Sequence, residues 1–101
     1  MNVEFHEAAV SELDDAINYY RAISRELSDQ FRVEVELGVK RIAECPEAWQ
    51  PLGQGLRRYL MGRFPYGIVF RVQGADIKIY AVMHLKRRPA YWRKRLTSAA
   101  P

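Results

Sequence analysis

An α+β domain, ordered β-α-α-β-β-β with a short C-terminal helix, is what this sequence predicts. Three observations lead there. Apolar residues recur at intervals of three and four through the first half, and they alternate in twos through much of the second. Between the two regimes lies a Pro- and Gly-bearing stretch, Glu47 to Gly55, read as a loop. The chain has 101 residues, 49% of them hydrophobic and 28% charged, so one domain over residues 1–101 with a packed core is expected rather than disorder.

The elements follow in order. Asn2 to Phe5 places Val3 and Phe5 on one side of a short strand. Ala9, Leu13, Ala16, Ile17, Tyr20 and Ile23 then form the stripe of an amphipathic helix starting near Glu7, with Glu12, Asp14, Asp15 and Arg21 falling elsewhere. A break at Ser24 to Ser28 leads to a second helix whose stripe is Phe31, Val35, Gly38 and Ile42, flanked by Leu27 and Val39; Pro46 stops it. So short a connection predicts an antiparallel helical hairpin covering one face of an antiparallel sheet. In the loop that follows, Trp49 is expected to pack as a lid. Leu56 to Arg63, Tyr66 to Val72 and Ile77 to His84 are three strands, the last two joined by a turn at Gln73-Gly74-Ala75-Asp76. Strict alternation in the third puts Ile77, Ile79, Ala81 and Met83 on one face. Lys78, Tyr80, Val82 and His84 take the other. A short helix is expected from Pro89, with Thr97 to Pro101 frayed.

Charge is sharply segregated. Residues 1–50 hold five basic residues against eleven acidic ones, a net −6, whereas residues 51–101 hold eleven basic residues against Asp76 alone, a net +10. Such a division points to a directed field and an anionic or acidic partner. No apolar run approaches the roughly 20 residues that span a bilayer, and the N-terminus lacks the pattern of a signal peptide. With one cysteine there is no internal disulfide. A reducing cytoplasm is expected, with Cys45 facing the core.

The sheet face turned away from the helices is expected to present Arg57, Tyr59, Arg63, Val69, Arg71, Tyr80 and His84, guanidinium groups mixed with rings that suit phosphates, bases or an acidic protein segment. Arg57, Arg63, Arg71, Lys86, Arg87 and Arg88 are the candidate anion-binding residues. His84 closes the last strand beside three cations, which disfavour its imidazolium form and leave it either a base or the partner of a nearby main-chain group. Metal-free RNA cleavage needs a base, an acid and cations on the phosphate; His84, Tyr91 and the arginines supply those residue types. Tyr91 and Trp92 could equally pin the tail to the sheet. His6 and His84 have no Cys or carboxylate at ligand spacing, so neither a metal nor a cofactor is expected.

Glu7-Ala8-Ala9-Val10-Ser11-Glu12-Leu13, Tyr19-Tyr20 and Arg57-Arg58-Tyr59-Leu60 resemble motifs of the RelE/ParE toxin superfamily. So do Arg63-Phe64-Pro65-Tyr66-Gly67-Ile68-Val69-Phe70-Arg71 and Ala81-Val82-Met83-His84-Leu85-Lys86-Arg87-Arg88-Pro89-Ala90-Tyr91-Trp92. The resemblance covers about residues 2–96. It implies the toxin subunit of a bacterial type II toxin–antitoxin module, neutralised by a cognate antitoxin that wraps the toxin. The RelE branch cuts messenger RNA on the ribosome as a metal-independent endoribonuclease. Its pattern is matched by Arg58 and Tyr91, whereas Leu60, Gly67 and Leu85 stand where that branch implies further cations. The ParE branch, resembled in Ala81-Val82-Met83-His84 and the basic run after it, implies poisoning of DNA gyrase without a catalytic acid or base. That branch is the one favoured. A plain nucleic-acid-binding module would account for the basic half but not for the order of the motifs.

Overall fold

The computed structural model describes residues 2–88 and 90–97. Strand β1, Val3–Phe5, leads into helix α1, Glu7–Ile23, whose first turn is capped by the His6 imidazole: Nδ1 accepts from Ala8 N at 3.0 Å. The break between helices is one residue. Ser24 adopts an extended conformation and its Oγ accepts from Leu27 N at 3.0 Å, capping α2, Arg25–Glu44. The sequence reading placed this start several residues later, yet Ser28 already lies inside α2 and is buried, its hydroxyl donating to Arg25 O. Ala9, Ala16, Ile17 and Tyr20 of α1 face Phe31, Val35, Gly38 and Ile42 of α2 across the hairpin and down onto the sheet, as the two stripes require. Ile23, the last residue of the first stripe, is 60% exposed instead.

Five strands form the sheet in the order β1-β5-β4-β3-β2. The supposed loop after α2 holds a 3-10 turn, Pro46–Ala48, and an edge strand, β2, Gln50–Gly53. Its Pro51, which offers no N–H, is tolerated because the strand lies at the sheet edge. The turn into β3, Leu56–Leu60, runs through Gly53, Gln54 and Gly55, all at positive φ. Strands β4, Tyr66–Gln73, and β5, Asp76–His84, complete the meander, and β1 pairs with β5 in parallel, so the sheet is mixed. The short C-terminal helix, α3, spans Lys94–Thr97 and follows turns at residues 90–93; Pro89, its expected start, and residues 98–101 lie outside the described residues.

A bulge alters which side chains share a face. Val69 pairs with Ala81 and Phe70 with Ile79, leaving Tyr80 as an extra residue in β5. One inserted residue reverses the alternation beyond it. Ile77, Ile79 and Val82 therefore face the helices, while Tyr80, Ala81 and Met83 face away. The strict alternation expected for this strand is corrected accordingly.

Each face of the sheet carries a core. The helix-side core joins Phe31, Ile42, Tyr59, Ile68, Phe70 and Ile79, several of them fully buried; each such large apolar side chain contributes about 1.5–3 kcal/mol. Trp49 closes its edge, stacking edge-on against Tyr59 at 4.7 Å, in line with the lid role read from sequence. The second core gathers Leu56, Val69, Tyr80, Ala81 and Met83 under Trp92, with Leu52, Tyr91 and Leu96 packed around it. Trp92, 3% exposed, does pin the C-terminal segment to the sheet. Cys45 is exposed, because it ends α2 where the chain turns outward.

Candidate functional site

The expected open face of arginines and aromatic rings does not form as a unit. Tyr59 and Tyr80 are buried, at 3% and 1% exposure, so neither offers a stacking surface. Arg57 and Tyr59 project to the helix side with His84, while Val69, Arg71 and Tyr80 project to the other. Arg57 Nη1 donates to Trp49 O at 2.8 Å and to Glu47 O at 3.4 Å, holding the chain that follows α2. Arg58 lays its stem over Gly67 and donates to Gln50 Oε1 at 2.8 Å. Arg63 reaches back to Gln30 of α2. Lys86, Arg87 and Arg88 are exposed just after β5.

His84, Arg87 and Tyr91 do come together, beside α1. A cleft of about 480 Å³ runs along α1 past the ends of β4 and β5, lined in part by Asp15, Tyr19, Ile23, Tyr66, His84 and Arg87. Tyr19 is 61% exposed on its rim, so this wall is apolar as well as charged. The His84 ring sits edge-on to Tyr66 at 5.0 Å. Its Nδ1 accepts from Lys86 N at 3.0 Å, the main-chain partnership left open by the sequence. A ring nitrogen used as an acceptor leaves the proton of the neutral ring on Nε2, a donor.

Behind the cleft lies a carboxylate that the sequence reading placed on the wrong side of its helix. Glu12 is three residues after Ala9 and four before Ala16, so it falls on the buried stripe of α1, and that spacing was the available signal. Its Oε1 accepts from Val82 N at 3.0 Å and from Arg95 Nη1 at 2.9 Å; Oε2 accepts from Arg95 Nη2 at 2.9 Å and from the Tyr91 hydroxyl. Arg95 also donates to Tyr80 O at 2.8 Å. The two side chains of this pair are 12% and 14% exposed. Arg87 lies 3.9 Å above the Tyr91 ring. Burial, then the hydrogen bond and charge of Glu12, push the Tyr91 hydroxyl far above the ordinary tyrosine value, against the opposing pull of Arg95 and Arg87. Glu12 and β5 thus anchor the C-terminal segment through Tyr91 and Arg95. Nothing in the sequence around Arg95 announces its partner, which lies 83 residues away.

Chemically, the arrangement is better at holding than at reacting. The tyrosine hydroxyl is committed to a carboxylate and has become a weaker acid, and the imidazole lone pair is committed to a main-chain N–H. Arg58, the cation matched to an RNA-cleaving pattern, projects from the opposite face of the sheet to His84. Among the described residues no three His, Cys, Asp or Glu side chains gather so as to hold a metal ion, and no helix is long and apolar enough to cross a membrane.

Helical hairpin, meander and packed C-terminal segment together define a small α+β fold, and comparison with known proteins assigns it to a class. Residues 3–89 match the family model described as the ParE toxin of the type II toxin–antitoxin system parDE, and the chain belongs to that family. It is similar to the Toxin ParE2 of two Mycobacterium tuberculosis strains, CDC 1551 / Oshkosh and H37Rv. Each is 28% identical over 85 residues, covering 83% of this chain and 81% of the relative. A solved structure described as the chromosomal ParDE TA system from P. aeruginosa shares the fold. Its TM-score is 0.75 at 23% identity, over 85% of this chain and 97% of that one.

Proposed function

We propose that this protein is a ParE-type toxin that arrests growth by binding DNA gyrase in the bacterial cytoplasm and is neutralised by a cognate antitoxin. Family membership supports the toxin class. The observation that carries binding over catalysis is the internal commitment of both candidate proton-transfer groups. Tyr91 donates to Glu12, and His84 Nδ1 accepts from Lys86 N. A poison that works by occupying its target needs neither group free. Lys86, Arg87 and Arg88 are exposed just after β5, with Arg87 lining the cleft, where they would meet an anionic target surface.

The test pairs two readouts on purified protein: gyrase supercoiling and cleavage of ribosome-bound message. Wild-type protein is expected to inhibit supercoiling and leave message intact, and His84→Ala to retain inhibition within a few-fold. Expression in cells should stop growth, and co-expression of the adjacent antitoxin should restore it. If wild-type protein instead cuts message, and His84→Ala or Tyr91→Phe slows that cleavage by about 10²–10⁴ while remaining folded, the RelE-like reading replaces this one.

A further inference from the structure

The face of the sheet opposite the helices has a second cationic feature, remote from the cleft. A pocket of about 480 Å³ is lined by Gln54, Arg71, Arg93 and Leu96. Arg71 rises from β4 with its stem against Gly55, and Lys78 is its direct neighbour across β5. Both cations approach the Tyr80 ring, Arg71 Cζ at 5.6 Å and Lys78 Nζ at 5.5 Å, so they share one side of the sheet. Arg93 enters from the C-terminal segment, where Trp92 is anchored, and donates to Gln54 Oε1 at 3.0 Å and Leu52 O at 3.3 Å. Both acceptors are neutral.

Arg71 Nε is buried without an acceptor, as is Arg58 Nε; but Arg58 donates through Nη2 to Gln50, whereas among the described residues the Arg71 side chain has no hydrogen-bond or carboxylate partner. A desolvated guanidinium donor left unmade is costly, and a second guanidinium in the same pocket adds repulsion. Among the described residues no carboxylate pairs with Arg71. After Glu47 the only acidic residue is Asp76, which sits in the β4–β5 turn opposite Gln73. What relieves such a site is an external oxyanion, and guanidinium forks are matched to its geometry.

We propose that Arg71 and Arg93, with Lys78 alongside, form a phosphate-binding site on the second face of the sheet, filled by a nucleic-acid backbone phosphate or by free phosphate. This inference stands apart from the gyrase reading, since it concerns neither the cleft nor the exposed basic run. Phosphate fits better than an acidic protein segment. Such a segment needs apolar anchor points, and none of the exposed large apolar side chains Val10, Tyr19, Ile23, Val33, Leu60, Val72 and Leu85 lines this pocket.

The test follows the Nε–H resonances of Arg71 and Arg93 by nitrogen-15 NMR while inorganic phosphate, a short DNA duplex or polyglutamate is titrated in. A parallel measurement takes duplex affinity against salt. Saturable shifts with both phosphate and duplex, phosphate competing, assign the site to nucleic acid. Arg71→Gln should then weaken duplex binding roughly tenfold and reduce the salt slope by about 0.9, the loss of one phosphate contact. Arg25→Gln, which removes the same charge from α2, should change neither. Shifts with phosphate but not duplex uphold the site and assign it to free phosphate. No shift with either, a response to polyglutamate alone, or equal losses in Arg71→Gln and Arg25→Gln overturns the proposal. Circular dichroism of Arg71→Gln keeps a folding defect from mimicking lost binding.

Discussion

Removing the Glu12 carboxylate should reveal how firmly the C-terminal segment is held. In Glu12→Ala, Val82 N and the Tyr91 hydroxyl lose their acceptor, and Arg95 is left facing a site where it was only 12% exposed. Stranding one charge of a buried pair costs about 3–5 kcal/mol, whereas breaking an exposed surface pair costs at most about 1 kcal/mol. The first figure applies, because both partners are largely desolvated and four hydrogen bonds converge on the carboxylate. Against a total stability of about 5–15 kcal/mol for a domain, that is a large fraction. Glu12→Gln keeps an acceptor for Val82 N and should lose less, about 2 kcal/mol. Urea unfolding followed by tryptophan fluorescence measures both, and a cycle with Arg95→Gln should give a coupling of about 1–3 kcal/mol. A loss below about 1 kcal/mol in Glu12→Ala, or additive single variants, would refute the claim that this pair is a buried anchor.

Two further outcomes are expected. The Tyr91 proton is held more tightly in the folded chain than in the unfolded one, whose ordinary value is 10.0, so as pH rises the unfolded chain ionises first. Its contribution to stability should be fully present and independent of pH below that value, and be lost as pH climbs above it. Tyr91→Phe should flatten part of the alkaline slope, to which Tyr20 and Tyr66, also raised by burial, contribute in the same direction; an unchanged slope in urea melts above pH 10 would contradict the assignment. Gly38→Ala should destabilise despite lying in a helix. Its Cβ would sit 2.7 Å from Tyr59 Cε2 and 3.3 Å from Ile68 Cδ1. Overpacking of about 1–3 kcal/mol there exceeds or matches the ~1 kcal/mol of helix propensity that alanine brings. A thermal midpoint above that of the wild type would show that the Tyr59 ring yields freely.

Periodicity made the helical hairpin legible, because Phe31, Val35, Gly38 and Ile42 need no tertiary information to be recognised as one stripe. The three meander strands were legible for a similar reason, and motif order led to the toxin family. What stayed hidden depends on contacts between distant residues. Gln50–Gly53 shows no alternation and contains Pro51, so only its pairing with β3 makes it a strand. The Tyr80 bulge leaves no mark in a run of alternating β-formers, and it moved Val82 to the helix-side core and Ala81 and Met83 to the opposite one. The open aromatic face was lost with it, since Tyr80 and Trp92 close that side. Glu12 was misplaced for a different reason. An acidic residue near a helix start reads as a solvated one suited to the helix dipole, and only Arg95 and Tyr91 explain its burial.

The parallel pairing of β1 with β5 has a consequence for how the molecule comes into being. A strand near the start of the chain can be seated only beside one near its end, and Glu12 meets Arg95 across 83 residues. Such closures are slow, because loop entropy is lost before any contact is made. During synthesis the helical hairpin emerges early and can pair with itself, yet its apolar underside has no sheet to cover until the meander is complete. Both the strand that accepts β1 and the Tyr91 and Arg95 side chains that clamp onto Glu12 therefore come from residues made well after the hairpin. A chain cut short before β5 would leave the apolar underside of the hairpin without the sheet residues Ile77, Ile79 and Val82 that it packs against.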